Sequence, residues 1–336
     1  MIAIIADDFS GAAELAGIAA ARGLKAEVQT QFDPTSDAEV IAVDTDTRLR
    51  TESEAARIVG EVARQIVAAK PAWIYKKTDS VMRGHPRAEI EAILAETGQR
   101  DCLFIPANPS KGRLIVDGRY LINGTPLHET VFAHDPDHPR RSALVRELLG
   151  ESDRILVPDI KTRFDLRHSH DPSRLAAGAA DFFGELIGQA LIRTTPVATS
   201  KALLICGSLA AWETGRPEEM KERGFIVKTL TEQLSPSVWD TTDKLMLAIG
   251  NRQEEAMGLS MDALIERAVV VADEMTDLRI GLEGGATAMA FIRRMNWTRF
   301  EVIPEGHTGV GTLRPPGGTI LCVKPGSYPW PEGCFS

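Results

Sequence analysis

The stretch Ile2-Ala3-Ile4-Ile5-Ala6-Asp7-Asp8-Phe9-Ser10-Gly11-Ala12-Ala13-Glu14 joins an apolar run to a helix-like segment through two consecutive acids. A short run of Ile and Ala reads as a strand buried on both faces, the mark of a parallel sheet. In open parallel sheets ligands bind beyond the carboxyl ends of the strands, where Asp7 and Asp8 would project. Ser10 or Gly11 can open the following helix, whose free amides favour an anion. A helix start needs one capping side chain, so a second acid beside the first points to a site as well as a cap.

The same alternation recurs outward from this stretch. Strand-like runs at 26–30, 40–43, 72–75 and 102–105 are separated by helical segments, notably 52–69 and 86–96. Between 112 and 135 the pattern changes to short extended pieces with an Asn123-Gly124 turn, which predicts a hairpin and offers a candidate surface for a homo-oligomer. A helix is expected over 172–192, and strands near 202–206, 225–230, 244–249, 278–283 and 319–323 continue the rhythm. The expected fold is α/β with two domains, 1–198 and 199–336. Each should hold a largely parallel sheet flanked by helices, with the active site in the interdomain cleft.

At 336 residues and 43% hydrophobic content the chain can bury a sizeable core. Its net charge of -9 argues against broad nucleic-acid or acidic-membrane binding, so an anionic substrate must meet a local basic cluster. No run is long enough for a membrane span and the opening apolar run lacks a basic leader, so a cytoplasmic location is expected. Cys102, Cys206, Cys322 and Cys334 are widely spaced without a CxxC pair and are expected to be buried thiols. His134, His138, His168 and His170 match no zinc spacing, and no protein-held metal is expected.

Polar residues concentrate in the loops after the early strands. Asp44-Thr45-Asp46-Thr47-Arg48 follows the third run, and Lys76-Lys77-Thr78-Asp79-Ser80-Val81-Met82-Arg83-Gly84-His85 follows the fourth. Arg83 can grip a carboxylate through two parallel hydrogen bonds, and Asp79 can accept from a hydroxyl. A third cluster, Pro106 to Arg113, adds Lys111 and Arg113, although its prolines and glycine equally make a rigid turn. In the second half, Cys206-Gly207-Ser208 and Glu283-Gly284-Gly285-Ala286-Thr287 each follow a strand. Strand, glycine and helix start together form an anion-binding pattern. Neither a GxxxxGK[ST] loop nor a strict GxGxxG is present.

In this order the motifs resemble those of the four-carbon acid sugar kinases, which phosphorylate the terminal hydroxyl of threonate, erythronate or their 3-oxo relatives with ATP. The resemblance rests on Ile5 to Ala13, Asp44 to Arg48, Lys76 to Gly84, Pro106 to Arg113 and Asn123 to Phe132, ending in Asp135-Pro136. It implies an N-terminal domain that binds the sugar acid and a C-terminal domain that binds ATP with its Mg2+. By this resemblance Asp8 or Asp79 orients and deprotonates the attacking hydroxyl. Asp7, Arg48, Lys77, Ser80, Arg83, Lys111 and Arg113 contact the acid. Gly207, Ser208, Gly284, Gly285, Thr287, Lys324 and Gly326 hold the nucleotide.

The second half departs from the family pattern. Ala286 stands where members usually carry an acid, and Pro325, Tyr328 and Pro329 interrupt a glycine-rich ending, in a chain shorter than typical members. A catalytically weakened homologue that binds a sugar acid as a sensor or partner is therefore a second reading. A Schiff-base enzyme using Lys77 is a third, disfavoured by the polar loop around that lysine.

Overall fold

A computed structural model describes residues 1–135, 137–167, 171, 173–188, 197–234, 238–250, 260–273, 275, 277–305, 309–326 and 329–335. The chain divides into two compact units, Met1–Ile192 and Arg193–Ser336.

The first unit is built on β1 (Ile2–Ala6), β2 (Ala26–Gln29), β3 (Val40–Asp44), β4 (Trp73–Lys77) and β5 (Asp101–Ile105). A small antiparallel sheet follows, β6 (Arg113–Val116), β7 (Arg119–Ile122) and β8 (Thr125–Pro126), before β9 (Ile155–Leu156) and β10 (Arg174–Gly178). The parallel sheet runs β2-β3-β1-β4-β10-β5-β9. β1 lies near its middle with every residue from Ala3 to Ala6 inaccessible, which is why it reads as an unbroken apolar run. Helices Glu52–Ala68 and Pro86–Thr97 pack on each other, as do Phe9–Ala20 and Ala180–Leu186.

Local chemistry fixes several boundaries. Thr51 and Glu54 form a reciprocal capping box at the start of Glu52–Ala68. Pro86 opens the next helix, and Gly98, at φ 69°, closes it. The Asn123-Gly124 hairpin forms as expected, with both residues at positive φ (51° and 84°) between β7 and β8.

The expected helix over 172–192 is replaced by β10 and the short helix Ala180–Leu186; 189–192 lie outside the described residues. Leu175-Ala176-Ala177 is apolar throughout because β10 is sandwiched between β4 and β5, and such a run carries no period to tell strand from helix. Gly178 completes it at φ 149°, where a Cβ would collide with the Ile105 carbonyl.

The second unit contains β11 (Lys201–Cys206), β12 (Ile226–Thr229), β13 (Lys244–Ala248), β14 (Leu278–Glu283), β15 (Arg299–Val302), β16 (Gly311–Arg314) and β17 (Ile320–Lys324). The order β12-β13-β11-β14-β17 is parallel, and β16 and β15 continue it antiparallel. The antiparallel pair was not anticipated, since its strands are short and lie among Gly, Thr and charged residues. Helices Met261–Asp273 and Gly285–Arg294 pack together. Leu204, Met246, Cys322, Trp330 and Phe335 belong to one buried cluster in this unit. All four cysteines are free and buried, as expected. Among the described residues no helix is long and apolar enough to cross a membrane.

Candidate active site

In the first unit the carboxyl ends of β1, β3 and β4 collect the residues singled out in the sequence. Asp7 and Asp8 leave β1 and meet Arg48, which comes from the loop after β3. Arg48 donates from Nε to Asp7 Oδ2 at 2.7 Å and from Nη2 to Asp7 Oδ1 at 3.1 Å and to Asp8 Oδ1 at 2.7 Å. Asp8 also caps the helix Phe9–Ala20, accepting from the Gly11 amide at 3.0 Å and from the Ser10 hydroxyl. Capping and site membership thus coexist in this one residue.

The loop after β4 is folded around Asp79. Its Oδ2 accepts from the amides of Val81 (3.1 Å) and Arg83 (3.2 Å), and its Oδ1 accepts from Arg83 Nη2 at 2.8 Å. Arg48 Nη1 approaches the same Oδ1 at 3.9 Å, so Asp79 links the two arginines. Arg83 Nη1 reaches Asp135 at 3.3 Å, while its buried Nε has no hydrogen-bond partner among the described residues. Ser80 is held from two sides, its hydroxyl by Arg113 and its carbonyl by the Tyr120 hydroxyl.

Opposite these, Glu14 on the first helix gathers the lysines. Lys111 donates to it at 3.0 Å and Lys77 lies 3.6 Å away, also donating to the Thr78 carbonyl at 3.1 Å. The helix passes closely here: a Cβ on Gly11 would stand 2.7 Å from Asp8 Oδ1 and 2.9 Å from Lys77 Nζ, so both side chains would have to shift. Lys76 points to the other face of the sheet and pairs with buried Glu89 at 2.5 Å, a structural contact.

The charges are strongly coupled. Burial opposes ionisation of Asp7, but Arg48 outweighs it and holds the carboxyl below the usual carboxylate range. Burial likewise opposes Asp79, and Arg83 with Arg48 brings its carboxyl well below that range. Lys111 and Lys77 do the same for Glu14 against its burial. Asp44 behaves oppositely: burial drives its carboxyl well above the ordinary value, and Asp46, Asp8 and Asp7 add to the shift.

All nine sequence-derived residues of the first half, Asp7, Asp8, Arg48, Lys77, Asp79, Ser80, Arg83, Lys111 and Arg113, take part in these interactions. Sequence reading missed Glu14, Asp44 and Asp135 as site residues. Glu14 sits one helical turn beyond Ser10 and Gly11 on the same face, a signal that helical spacing offered.

In the second unit the three glycine turns meet at the carboxyl ends of the adjacent strands β11, β14 and β17. The Gly207 amide donates to Thr287 Oγ1 at 3.2 Å, and Gly284, at φ 97°, donates its amide to the Lys324 carbonyl at 2.9 Å. A Cβ on Gly326 would lie 2.7 Å from Ser208 Oγ. Gly284 provides no side-chain cap, and Gly285 opens the helix Gly285–Arg294. These turns bring backbone close to backbone and leave helix-start amides available, which suits a phosphate group. Lys324 is placed differently from expectation: its amine is buried, donating to Glu283 at 2.7 Å and lying over the Trp330 ring at 4.9 Å. Ser327 and Tyr328 lie outside the described residues. Among the described residues no group of three His, Cys, Asp or Glu could hold a metal ion.

Residues 2–186 match the family described as the sugar-binding N-terminal domain. A D-threonate kinase of Salmonella typhimurium is 31% identical over 191 residues, which cover 56% of this chain and 45% of that protein. A D-erythronate kinase of Heliobacterium modesticaldum is 33% identical over 379 residues, covering 95% of this chain and 83% of that protein. The chain thus spans less than half of the first relative and most of the second. A Haemophilus influenzae protein of known structure superposes with a TM-score of 0.73 at 15% identity, over 99% of this chain and 98% of that one. That likeness establishes a shared mixed α/β fold.

Proposed function

The chain belongs to the four-carbon acid sugar kinase family, and from that membership we propose that it transfers the γ-phosphoryl group of ATP to the terminal hydroxyl of a four-carbon acid sugar. Relatives named for D-threonate and D-erythronate support the substrate class. The observation that carries the reading is the joining of Asp8, Arg48, Asp79 and Arg83 in one buried network at the strand ends.

Within this reading Arg83 anchors the substrate carboxylate, since its guanidinium keeps Nε without a protein partner among the described residues. Lys77, Lys111 and Arg113 supply further positive charge, and Ser80 a hydroxyl. Asp79 is folded into its own loop, taking the Val81 and Arg83 amides on Oδ2 and the Arg83 guanidinium on Oδ1, and it holds its proton poorly, so it fits a role in positioning Arg83 and Arg48. Asp8 is the residue we assign to orienting and deprotonating the attacking hydroxyl, with Asp7 and Arg48 fixing its place.

The second unit is the proposed nucleotide domain. Gly207, Ser208, Gly284, Gly285, Thr287 and Gly326 would receive the phosphates through backbone amides and hydroxyls, and Mg2+ would enter with the nucleotide to neutralise developing charge. Lys324, engaged with Glu283, would act at a distance through its charge. Phosphoryl transfer then needs the acceptor held by one unit and the donor held by the other to be brought together.

Phosphorus-31 NMR of reactions containing MgATP and D-threonate, D-erythronate or 3-oxo-tetronate tests the proposal. A new phosphomonoester coupled to the terminal methylene is the expected product. The engagement of Lys324 and the presence of Ala286 favour the second reading, a sugar-acid binder without turnover, if no phosphomonoester forms although the acid binds.

A further inference from the structure

We propose that Asp44 is an additional ligand-binding residue of this site, its Oδ2 meeting an oxygen of the bound acid sugar. The inference rests on the acid-sugar reading above and gives a role to a motif residue to which the resemblance assigned none.

Asp44 is the last residue of β3 and is buried, 3% exposed. Its Oδ1 accepts from the Asp46 amide at 2.9 Å, whereas its Oδ2 is buried with no hydrogen-bond partner among the described residues. A buried oxygen left in this condition costs stability, so its persistence at a strand end beside a site calls for a purpose. Register supplies the position. Ala6 pairs with Asp44 on one side and with Lys77 on the other, and laterally paired residues of a parallel sheet project from the same face. Asp44 therefore shares the face of Lys77, which turns toward Glu14 and Gly11 of the helix Phe9–Ala20. It stands one strand from the point where Asp7 and Asp8 begin.

The surroundings decide its protonation. The charged groups around it are Asp46 from its own loop, Asp7 and Asp8 from the end of β1 with Arg48 between them, and Lys77 with Glu14 on the shared face. Arg48 is committed to Asp7 and Asp8, and Lys77 to Glu14 and the Thr78 carbonyl, so among the described residues no cation pairs with Asp44. Burial among three carboxylates favours the neutral acid. A neutral carboxyl carries a donor, and a donor can meet an anionic ligand oxygen that an ionised Asp44 would repel. The residue thus adds affinity for an acid without bringing another positive charge to the site.

The test is calorimetric binding of D-threonate, D-erythronate and 3-oxo-tetronate to wild type, Asp44→Asn and Asp44→Ala, over a pH series that rises from the ordinary carboxylate range to the alkaline limit of the fold. For the acid that binds, wild-type affinity should fall as pH rises and Asp44 ionises. Asp44→Asn keeps a donor that cannot ionise, so its affinity should match wild type at the acid end and stay level across the range. Asp44→Ala should bind about tenfold more weakly at the acid end, the loss of roughly one hydrogen bond. A wild-type profile reproduced by Asp44→Asn, or unchanged binding in Asp44→Ala, would overturn the inference while leaving the kinase reading intact. Failure of wild type to bind any of the three acids would overturn both.

A second readout needs no ligand. Asp44 has a folded-state pKa above its unfolded value, so the wild type loses stability as pH rises from the unfolded value through the folded one. Asp44→Asn should gain melting temperature over wild type along that range, and the gain should level off once Asp44 is ionised. Identical pH dependence of melting in the two proteins would contradict the neutral carboxyl.

Discussion

Arg48 binds Asp7 through two parallel hydrogen bonds, Nε to Oδ2 at 2.7 Å and Nη2 to Oδ1 at 3.1 Å, across 41 positions of sequence. The pair ties the loop after β3 to the end of β1, and Nη2 reaches on to Asp8 at 2.7 Å. One guanidinium therefore pairs with two neighbouring acids and fixes the place of both. A lysine in its position could keep the charge but not the fork.

Arg48→Lys should accordingly lower turnover and stability together. Losing the bidentate contact leaves buried carboxylate oxygens poorly paired, at a cost of up to about 3–5 kcal/mol. Thermal unfolding should show a melting temperature several degrees below wild type, with turnover reduced at least about tenfold. A variant with wild-type melting and wild-type turnover would remove Arg48 from the centre of the site.

Asp8→Asn and Asp79→Asn should separate kinetically. Loss of a general base typically lowers kcat by about 10²–10⁴-fold, with little change in KM. That is the expectation for Asp8→Asn. Asp79→Asn releases Arg83 and should act chiefly by raising KM for the acid. Reversed behaviour would exchange the two roles.

Acid titration offers a check on Asp79 that is independent of activity. Its folded-state carboxyl lies well below the ordinary value once Arg83 and Arg48 have outweighed burial. A depressed pKa stabilises the fold fully above the unfolded value of about 3.9, and that stability is lost as pH falls through the folded value. Asp79→Asn should be less stable than wild type near neutrality, with the gap closing in acid. A gap that stays constant with pH would show that the ion pairs contribute nothing through Asp79.

The first unit was the more legible half of the chain, and the reason is local. Each functional loop there follows directly on an apolar strand, so strand runs alone located Asp7, Asp8, Arg48, Asp79 and Arg83. What escaped notice depends on partners remote in sequence. Glu14 is defined by Lys111, 97 positions on, and Asp135 by Arg83, 52 positions back. β10 was misread because alanine fits a helix and a crowded sheet interior equally well. Lys324 looked available beside a glycine, whereas Glu283, 41 positions earlier, takes its amine into the core.

That buried pair makes its own forecast. Glu283 accepts from Arg216 Nε at 2.9 Å, from Lys324 at 2.7 Å and from Trp330 Nε1 at 3.3 Å. Glu283→Gln leaves buried Lys324 without its counter-charge and Arg216 with Glu219 alone, which costs about 3–5 kcal/mol. Denaturant unfolding should show the second unit melting earlier while acid-sugar binding to the first is retained. Unaltered unfolding would mean that the cations are neutralised elsewhere.

Gly326→Ala probes the proposed phosphate turns. A Cβ would stand 2.7 Å from Ser208 Oγ and 3.1 Å from its Cβ, displacing Ser208. KM for MgATP should rise about tenfold, equivalent to roughly 1.4 kcal/mol, while calorimetric affinity for the acid is unchanged. Unchanged KM for MgATP would place the phosphates elsewhere.

The most direct measurement is coupled ADP release from MgATP with each of D-threonate, D-erythronate and 3-oxo-tetronate, in wild type and Arg83→Ala. ADP release should depend on one of these acids in the wild type, and in Arg83→Ala the KM for that acid should rise by at least about tenfold. Acid-dependent turnover that survives Arg83→Ala unchanged would contradict the assigned site. Absence of acid-dependent ADP release in a folded wild-type protein would contradict the kinase itself.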